Sequence, residues 1–138
     1  MSGYVVFVMN GREMAGELGG VREVVRAIGI ESLTGARAPV TGLLTLRSTP
    51  VPVVDLRSAV DPGDTGDVLV LSPDSDGILG VAVDRVIAVL GPDDLVPLDP
   101  NEPKPNGLPP YVLEVRRNGA GRPVFVVALR ALAGLVPA

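Results

Sequence analysis

Short apolar runs separated by turn residues fill most of the 138-residue chain. Residues 4–9 form one such run of β-branched and aromatic side chains. It ends at Asn10-Gly11, the pair that most favours a two-residue hairpin turn, so residues 13–18 are predicted to return as the second strand. The same pattern predicts three further hairpins: 40–47 with 51–56, 67–71 with 78–84, and 111–116 with 123–127.

Residues 86–90 are predicted to extend the strand before them, which brings the total to about eight or nine strands, as is typical of barrels and sandwiches. Residues 21–28, VREVVRAI, differ from these runs. Their apolar side chains fall at i, i+3, i+4 and i+7, which predicts one face of a short helix. Further short helices are predicted at 57–60 and 129–135. The predicted fold class is therefore all-β with two or three short helices.

A proline-rich and acidic segment, residues 91–110, separates the last predicted hairpin from the rest of the chain. Proline cannot donate a ladder hydrogen bond, so this segment is predicted to be a surface loop that crosses the molecule. It is expected to be ordered where Leu95, Val96 and Leu98 dock.

Two ten-residue stretches, 50–59 and 123–132, resemble each other without gaps at a shift of 73 residues, and six of the ten positions are identical. Self-similarity at about half the chain length predicts two copies of one supersecondary unit, each too small to form a well-buried core alone. Chance similarity between valine-rich strands is the alternative. The prolines at Pro50 and Pro123 predict edge strands.

Composition restricts the possible chemistry. The chain has no cysteine and no histidine, which excludes thiol and imidazole catalysis and their metal sites. A net charge of −4 and 3% aromatic residues argue against nucleic acid as a partner. No apolar run is long enough to cross a membrane, and no signal peptide is apparent. We expect a cytoplasmic protein with no cofactor, no bound metal and no membrane insertion.

One motif makes the resemblance to a known family specific. The pattern G-(apolar)2-x-L-R-x3-(apolar)-P-(apolar)2-D-L-R occupies residues 42–57. Together with the V-x-E-V segment at 21–24, the GVAVDRVIAVL segment at 80–90 and, more loosely, residues 111–127, it resembles the CheW-like domain family. The resemblance implies a single domain, residues 1–138, made of two intertwined five-stranded SH3-like β-barrels that enclose a hydrophobic junction.

The resemblance also implies a function. CheW-like domains couple bacterial chemoreceptors to their histidine kinase, so the expected protein is a non-enzymatic adaptor, monomeric in isolation. Its expected partners are the cytoplasmic tip of a chemoreceptor and the regulatory domain of a CheA-type kinase.

Residue roles follow from the same resemblance. Glu23 and Arg47 match a paired Glu and Arg, which implies a salt bridge beside the receptor groove. The expected receptor-binding residues are Val21, Glu23, Val24, Arg47 and Val86. The expected kinase-binding residues are Asp55 and Arg57, and the structural motif residues are Gly42, Pro52, Leu56 and Asp84.

Simpler interpretations stand beside these roles. Val21 and Val24 fit a core position as well as a groove, and Glu23 and Arg47 fit two solvated charges. Asp55 fits a cap that accepts backbone N–H bonds after a strand.

Some positions depart from the family pattern. Ser48 stands where the family usually has glycine, which leaves open whether this turn keeps its left-handed form. Glu114 also replaces a common glycine, and Ala128 replaces an aspartate. These departures allow a second function, a divergent accessory protein that binds a receptor and lacks the kinase surface.

The triplet Asp64-Thr65-Gly66 suggests a third function, a small aspartic hydrolase, which requires two carboxylates that share a proton. Here the triplet follows the turn Asp61-Pro62-Gly63, so a charged surface turn is the better interpretation. Asp61, Asp64 and Asp67 lack the remaining ligands of a calcium loop.

Overall fold

The computed structural model describes residues 3–35, 39–57, 65–74, 77–103 and 105–134. In these ranges the chain forms twelve strands, one 3-10 turn at Leu18–Gly20 and one short helix, α1, at Leu129–Leu132. The strands are β1 (Tyr4–Met9), β2 (Arg12–Glu17), β3 (Val21–Arg26), β4 (Glu31–Ser32), β5 (Gly42–Leu46), β6 (Thr49–Asp55), β7 (Asp67–Asp74), β8 (Gly77–Val83), β9 (Arg85–Leu90), β10 (Val96–Pro97), β11 (Val112–Arg117) and β12 (Pro123–Val127).

The strands build two six-stranded sheets with the same internal order. The first sheet runs β10-β11-β12-β2-β1-β9, and the second runs β4-β5-β6-β8-β7-β3. Each strand of one sheet has an equivalent strand at the same place in the other sheet, and the two strand numbers differ by six. Each sheet contains five longer strands and one two-residue strand. The all-β prediction with two intertwined β-units is therefore confirmed.

The internal repeat corresponds to a repeat in topology. β6 and β12, which carry the two similar stretches, are each the second strand of an antiparallel hairpin. Each also pairs in parallel with the second strand of another hairpin, β6 with β8 and β12 with β2. The two copies thus occupy equivalent positions in the two sheets.

Three apolar clusters stabilise this arrangement. The central cluster draws buried residues from both sheets, among them Val5, Phe7, Leu69 and Leu71. The first-sheet cluster includes Tyr4 and Val6, and the second-sheet cluster includes Val68 and Val70. β1 and β7 are thus buried on both faces, which explains their continuous apolar sequences. Each fully buried valine or leucine contributes roughly 1.5–3 kcal/mol.

The predicted helix at residues 21–28 is wrong, because this segment forms β3 and pairs with β7. Exposure alternates along β3, with Val21, Glu23 and Val25 the more buried residues. An inward glutamate and an outward Val24 disguise this alternation in the sequence. A β-branched valine also loses side-chain freedom in a helix and favours a strand.

Residues 86–90 do not extend β8. They belong to a separate strand, β9, that leaves the second sheet and pairs with β1 in the first. The expectation that Pro50 and Pro123 mark edge strands is also wrong, since β6 and β12 lie inside their sheets. Both prolines come before the residues that pair in parallel with β8 or β2. Their missing N–H therefore removes no hydrogen bond from that parallel pairing.

The remaining connections agree in part with the predictions. Leu95 is buried in the first-sheet cluster and Leu98 is half-buried, whereas Val96 is 55% exposed in β10. α1 ends at Leu132, earlier than predicted. The predicted helical turn at 57–60 extends outside the described residues after Arg57.

Candidate functional site

A two-residue turn joins β5 to β6 and carries Arg47. Leu46 pairs with Thr49, so Arg47 and Ser48 are the two central residues. Their φ angles are 46° and 69°, both in the left-handed region that a type I′ turn requires. The serine therefore does not change the turn type, although a side chain in this region costs about 1 kcal/mol or more.

The predicted salt bridge between β3 and this turn is present. Arg47 Nη2 donates a hydrogen bond to Glu23 Oε1. The glutamate side chain is 23% exposed and the arginine 65%. The hydrogen bond to Glu23, together with its charge, raises the pKa of Arg47 above its ordinary value. The pair ties a strained turn to β3, which is not adjacent to β5 or β6 in the sheet order, and this fixes the direction of the guanidinium.

The ion pair lines a small depression of about 140 Å³. Arg22, Leu46, Thr49, Val51 and Ile78 complete its lining. Val24 is 40% exposed on the outward face of β3. Among the expected receptor-binding residues, Glu23 and Arg47 are thus in direct contact.

Val21 and Val86 lie elsewhere relative to this depression. Both are half-buried and both pack against the central cluster, Val21 from β3 and Val86 from β9. Val21 pairs with Leu71 and Val86 with Phe7, in different sheets. The structure therefore places these two valines against the central cluster, and neither of them lines the depression that holds the Glu23–Arg47 pair. Both the core and the groove interpretation of Val21 remain compatible with its half-buried position.

Asp55 and Arg57 form a compact charged corner at the end of β6. Asp55 Oδ1 accepts the Arg57 backbone N–H at 3.0 Å and the Arg57 Nε–H at 2.9 Å, and Oδ2 accepts Nη2 at 2.7 Å. The side-chain hydrogen bond from Arg57 lowers the pKa of Asp55. Arg57 Nη1 also donates to the Thr65 carbonyl. The predicted capping geometry of Asp55 is thus present.

The expected structural residues have identifiable contacts. A Cβ on Gly42 would lie 2.7 Å from Ile30 Cγ2 and 3.0 Å from the carbonyl oxygen of Glu31 in β4, so the close approach of this segment to β5 favours a glycine. Pro52 pairs with Leu43 across the β5–β6 hairpin. The Leu56 N–H donates to the Ala82 carbonyl, which continues the contact between β6 and β8.

Asp84 connects the two halves of the chain. Its Oδ2 accepts the N–H of Asn10 at 3.0 Å, and its own N–H donates to the Val8 carbonyl. The residue between β8 and β9 thus holds the β1–β2 turn.

Asp67 has a similar role, which sequence reasoning missed because it weighed this residue only as a metal ligand. Asp67 is 9% exposed, and its Oδ2 accepts the N–H of Val86 at 2.8 Å. Arg26 approaches its other oxygen at 3.6 Å. The sequence did carry one indication of this structural role, because Asp67 is a charged residue at the start of an apolar strand.

Arg130, the repeat counterpart of Arg57, was also missed. Ala128 has replaced its local aspartate, and Arg130 Nε instead forms an ion pair with Asp74 at 2.9 Å. Its Nη2 donates to the Ser72 carbonyl, so α1 is fastened to β7.

The described residues contain no group of three or more carboxylates that could hold a metal ion. Asp61 and Asp64, on which the hydrolase and calcium interpretations depend, lie outside the described residues. In the same described ranges no helix is long and apolar enough to span a bilayer.

Comparison with known proteins agrees with this architecture. The crystal structure of the scaffolding protein TtCheW from Thermoanaerobacter tengcongensis is similar, with a TM-score of 0.69 and 17% sequence identity over 92% of this chain and 88% of that chain. The search of curated proteins gave no match. The model of the CheW-like domain matches residues 3–136. The chain therefore belongs to the CheW-like domain family.

Proposed function

We propose that this protein is a non-enzymatic cytoplasmic adaptor that couples the cytoplasmic tip of a chemoreceptor to the regulatory domain of a CheA-type histidine kinase. The family match over residues 3–136 supports an adaptor role in chemotaxis. The observation that carries the receptor assignment is the Glu23–Arg47 pair, which holds an exposed guanidinium on a turn with two left-handed residues. Strain of this kind is retained where the surrounding structure enforces it, often at binding sites.

The mechanism requires coupling between binding surfaces and no chemical step. Val21 and Val86 both touch the central cluster, which draws on both sheets. A receptor helix that contacts β3, the β5–β6 turn and Val86 would change the packing of this interior. A kinase bound elsewhere on the protein would then bind with a different affinity. Such coupling is a free energy shared by two sites and is reciprocal.

Arg47→Glu tests the receptor assignment. The change places two acidic groups opposite each other and removes the cation that Glu23 holds in the depression, so receptor capture should fall at least about fivefold. The measurement is a pulldown with a soluble receptor signalling fragment, with circular dichroism to show that the fold is retained.

Arg117→Glu is the matched control. Arg117 ends β11, the counterpart of β5, and forms a partly buried ion pair with Glu102 at 2.8 Å. The Arg117→Glu variant also loses an arginine–glutamate ion pair, but in the other sheet. Its receptor capture should stay at the wild-type level. Full receptor capture by Arg47→Glu would remove Arg47 from the proposed site.

A second candidate function is an accessory protein that binds the receptor but not the kinase. The proposed kinase-binding residues Asp55 and Arg57 satisfy each other within the chain, and this observation favours the accessory role. Calorimetry with the regulatory domain of the kinase distinguishes the two functions. Measurable heat that is lost in an Asp55→Ala variant supports the coupling adaptor, whereas no heat with the wild-type protein supports the accessory role.

A further inference from the structure

The arginines of this protein fall into two groups. Of the ten described arginines, six form ion pairs with carboxylates: Arg26, Arg47, Arg57, Arg116, Arg117 and Arg130. The other four have no ion-pair partner among the described residues. Three of these four, Arg12, Arg85 and Arg122, line one surface depression of about 380 Å³, which we call the basic depression.

Four neighbouring strands of the first sheet build the basic depression. Arg12 begins β2, Arg85 begins β9, and Arg122 immediately precedes β12. Because the sheet order is β12-β2-β1-β9, these positions lie across adjacent strands at one end of the sheet. All three arginines are exposed. The surface therefore has a rigid backbone beneath it.

Phe125 supports one of the three cations. The Arg12 guanidinium carbon lies 5.5 Å from the centre of the Phe125 ring, within the range of a cation–π contact. An arginine that stacks on a ring keeps its hydrogen-bond donors available at the edges. Arg12 is therefore oriented without being neutralised.

The lining of the basic depression contains more positive than negative charge. Among the described residues, Glu13 is the only acidic one in the lining, and its Oε2 accepts a hydrogen bond from Asn118 Nδ2 at 3.2 Å. Three cations thus face one carboxylate on a chain whose net charge is −4. Unpaired cations of this kind create a local positive potential that attracts anions. The planar donor fork of arginine matches a carboxylate especially well.

We propose that the basic depression binds an acidic segment of a partner protein. An adjoining depression of about 520 Å³ shares Glu13 in its lining and is largely apolar, with Val6, Ile87, Ala88 and Leu90. Ile87 is 41% exposed there. A peptide can place carboxylates over the arginines and an apolar side chain beside them, whereas a nucleic acid would carry its whole charged backbone toward an acidic protein. This inference is independent of the proposed receptor and kinase coupling.

Fluorescence anisotropy with a labelled peptide tests the proposal. The probe contains consecutive glutamates followed by a leucine, and the comparison peptide has glutamine in place of each glutamate. The glutamate peptide should bind the wild-type protein, and binding should weaken between about 0.05 and about 0.3 M NaCl because exposed charges are screened. The glutamine peptide should not bind.

Arg85→Glu and Arg122→Glu should each weaken binding about tenfold, since each change removes an attraction and adds a repulsion. Arg22→Glu is the matched control, because Arg22 is the fourth arginine without an ion pair among the described residues and lies on β3 outside the basic depression. Its affinity for the peptide should equal that of the wild type. Arg85→Gln, which removes the charge without reversing it, should fall between the wild type and Arg85→Glu, and urea midpoints check that all variants are folded.

Several results would overturn the proposal. Equal binding of the glutamine peptide, or wild-type affinity in both reversal variants, would show that the arginines do not hold carboxylates. Tighter binding of an oligothymidylate or of phosphatidylserine vesicles would assign the surface to a polyphosphate or a membrane. Self-association of the wild-type protein that Arg122→Glu abolishes would assign it to a second copy of this chain.

Discussion

Two hairpin turns of the same type show how much a single residue matters. The β1–β2 turn uses Asn10 and Gly11, with φ angles of 51° and 75°, and this pair suits left-handed geometry. The β5–β6 turn has the same geometry with Arg47 and Ser48, neither of which favours it. Glu23 holds Arg47 in place, so the strained turn sets the position of that arginine.

Ser48→Gly should therefore stabilise the protein. Glycine adopts a φ near 69° without the clash of a Cβ, so the free energy of unfolding should rise by about 1 kcal/mol. Urea denaturation measures the change. Ser32→Gly is the control, because Ser32 is exposed in β4 and has no positive φ; it should give no increase. An equal gain in both variants would contradict the assignment of strain to Ser48.

The contribution of Asp55 to stability should depend on pH. Hydrogen bonds from Arg57 lower the pKa of Asp55 in the folded protein. A lowered pKa adds stability above the ordinary aspartate value of about 3.9, and this stability is lost as the pH falls through the lower, folded-state pKa. Replacing Asp55 with Asn should remove this contribution.

The unfolding free energies of wild type and Asp55→Asn, measured by urea denaturation from about pH 7 to about pH 2, should therefore converge in acid. The control is Asp93→Asn, since Asp93 is exposed and makes no hydrogen bond or ion pair among the described residues. The difference in unfolding free energy between Asp93→Asn and the wild type should stay constant as the pH falls. A constant difference for Asp55→Asn across the range would contradict the argument.

At the scale of elements, α1 depends on a glycine in β2. A Cβ built on Gly16 would lie 2.7 Å from both Cγ and Cδ1 of Leu129, which is closer than such atoms approach. Leu129 and Leu132 are the buried residues of this short helix. The helix therefore packs directly on the backbone of β2.

Gly16→Ala should displace α1 and lower the free energy of unfolding by about 1–3 kcal/mol, as overpacking does. Gly20→Ala is the matched control, because a Cβ on Gly20 meets nothing within 4 Å and its φ is not positive. Thermal and urea denaturation should place Gly20→Ala near the wild type. A similar loss in both variants would show that the effect does not come from Leu129.

Among the strands, those with apolar runs bounded by turn residues were predictable, and those whose pattern depends on an ion pair or on tertiary pairing were not. The hairpins at β1–β2, β5–β6 and β11–β12 agree with their apolar runs and turn residues. β3 does not, because Glu23 points inward to meet Arg47 while Val24 points outward, and this reverses the expected polarity of two positions. Local rules tend to fail at functional or strained sites, and β3 agrees with that tendency.

The candidate site was predictable to a similar extent. Family resemblance indicated Glu23 and Arg47, and their contact is present. The hydrogen bond between Asp67 and Val86 was not predictable, because it depends on β9 leaving the second sheet. Nor could the sequence show that Arg12, Arg85 and Arg122 line one depression, since their common location arises from strand order.

At the scale of the whole molecule, the two sheets share their interior and exchange strands. The central cluster takes buried residues from both sheets, and β3 and β9 each leave the sheet of the preceding hairpin for the other one. Neither sheet can separate without exposing this cluster. We therefore expect both sheets to unfold in one transition.

Leu69→Ala tests this expectation. Leu69 is fully buried in the central cluster, so the change should cost about 2–5 kcal/mol. Native-state hydrogen exchange should show equal losses of protection in β1 and β7, which belong to different sheets. Leu113→Ala, at a residue that is 62% exposed, should change little. Unchanged protection in β1 would show that the sheets open separately.

The matching strand orders have a consequence for ancestry. A peptide with the elements of β1–β6 alone would carry β3 with no β7 to pair with, unless a second such peptide supplied an equivalent strand. Two identical half-length peptides joined in that way would give both sheet orders by symmetry. The present chain has the topology that covalent fusion of such a reciprocal pair would give. Asp55 and Ala128 stand at equivalent positions of the internal repeat, and fusion would allow two such positions to carry different residues.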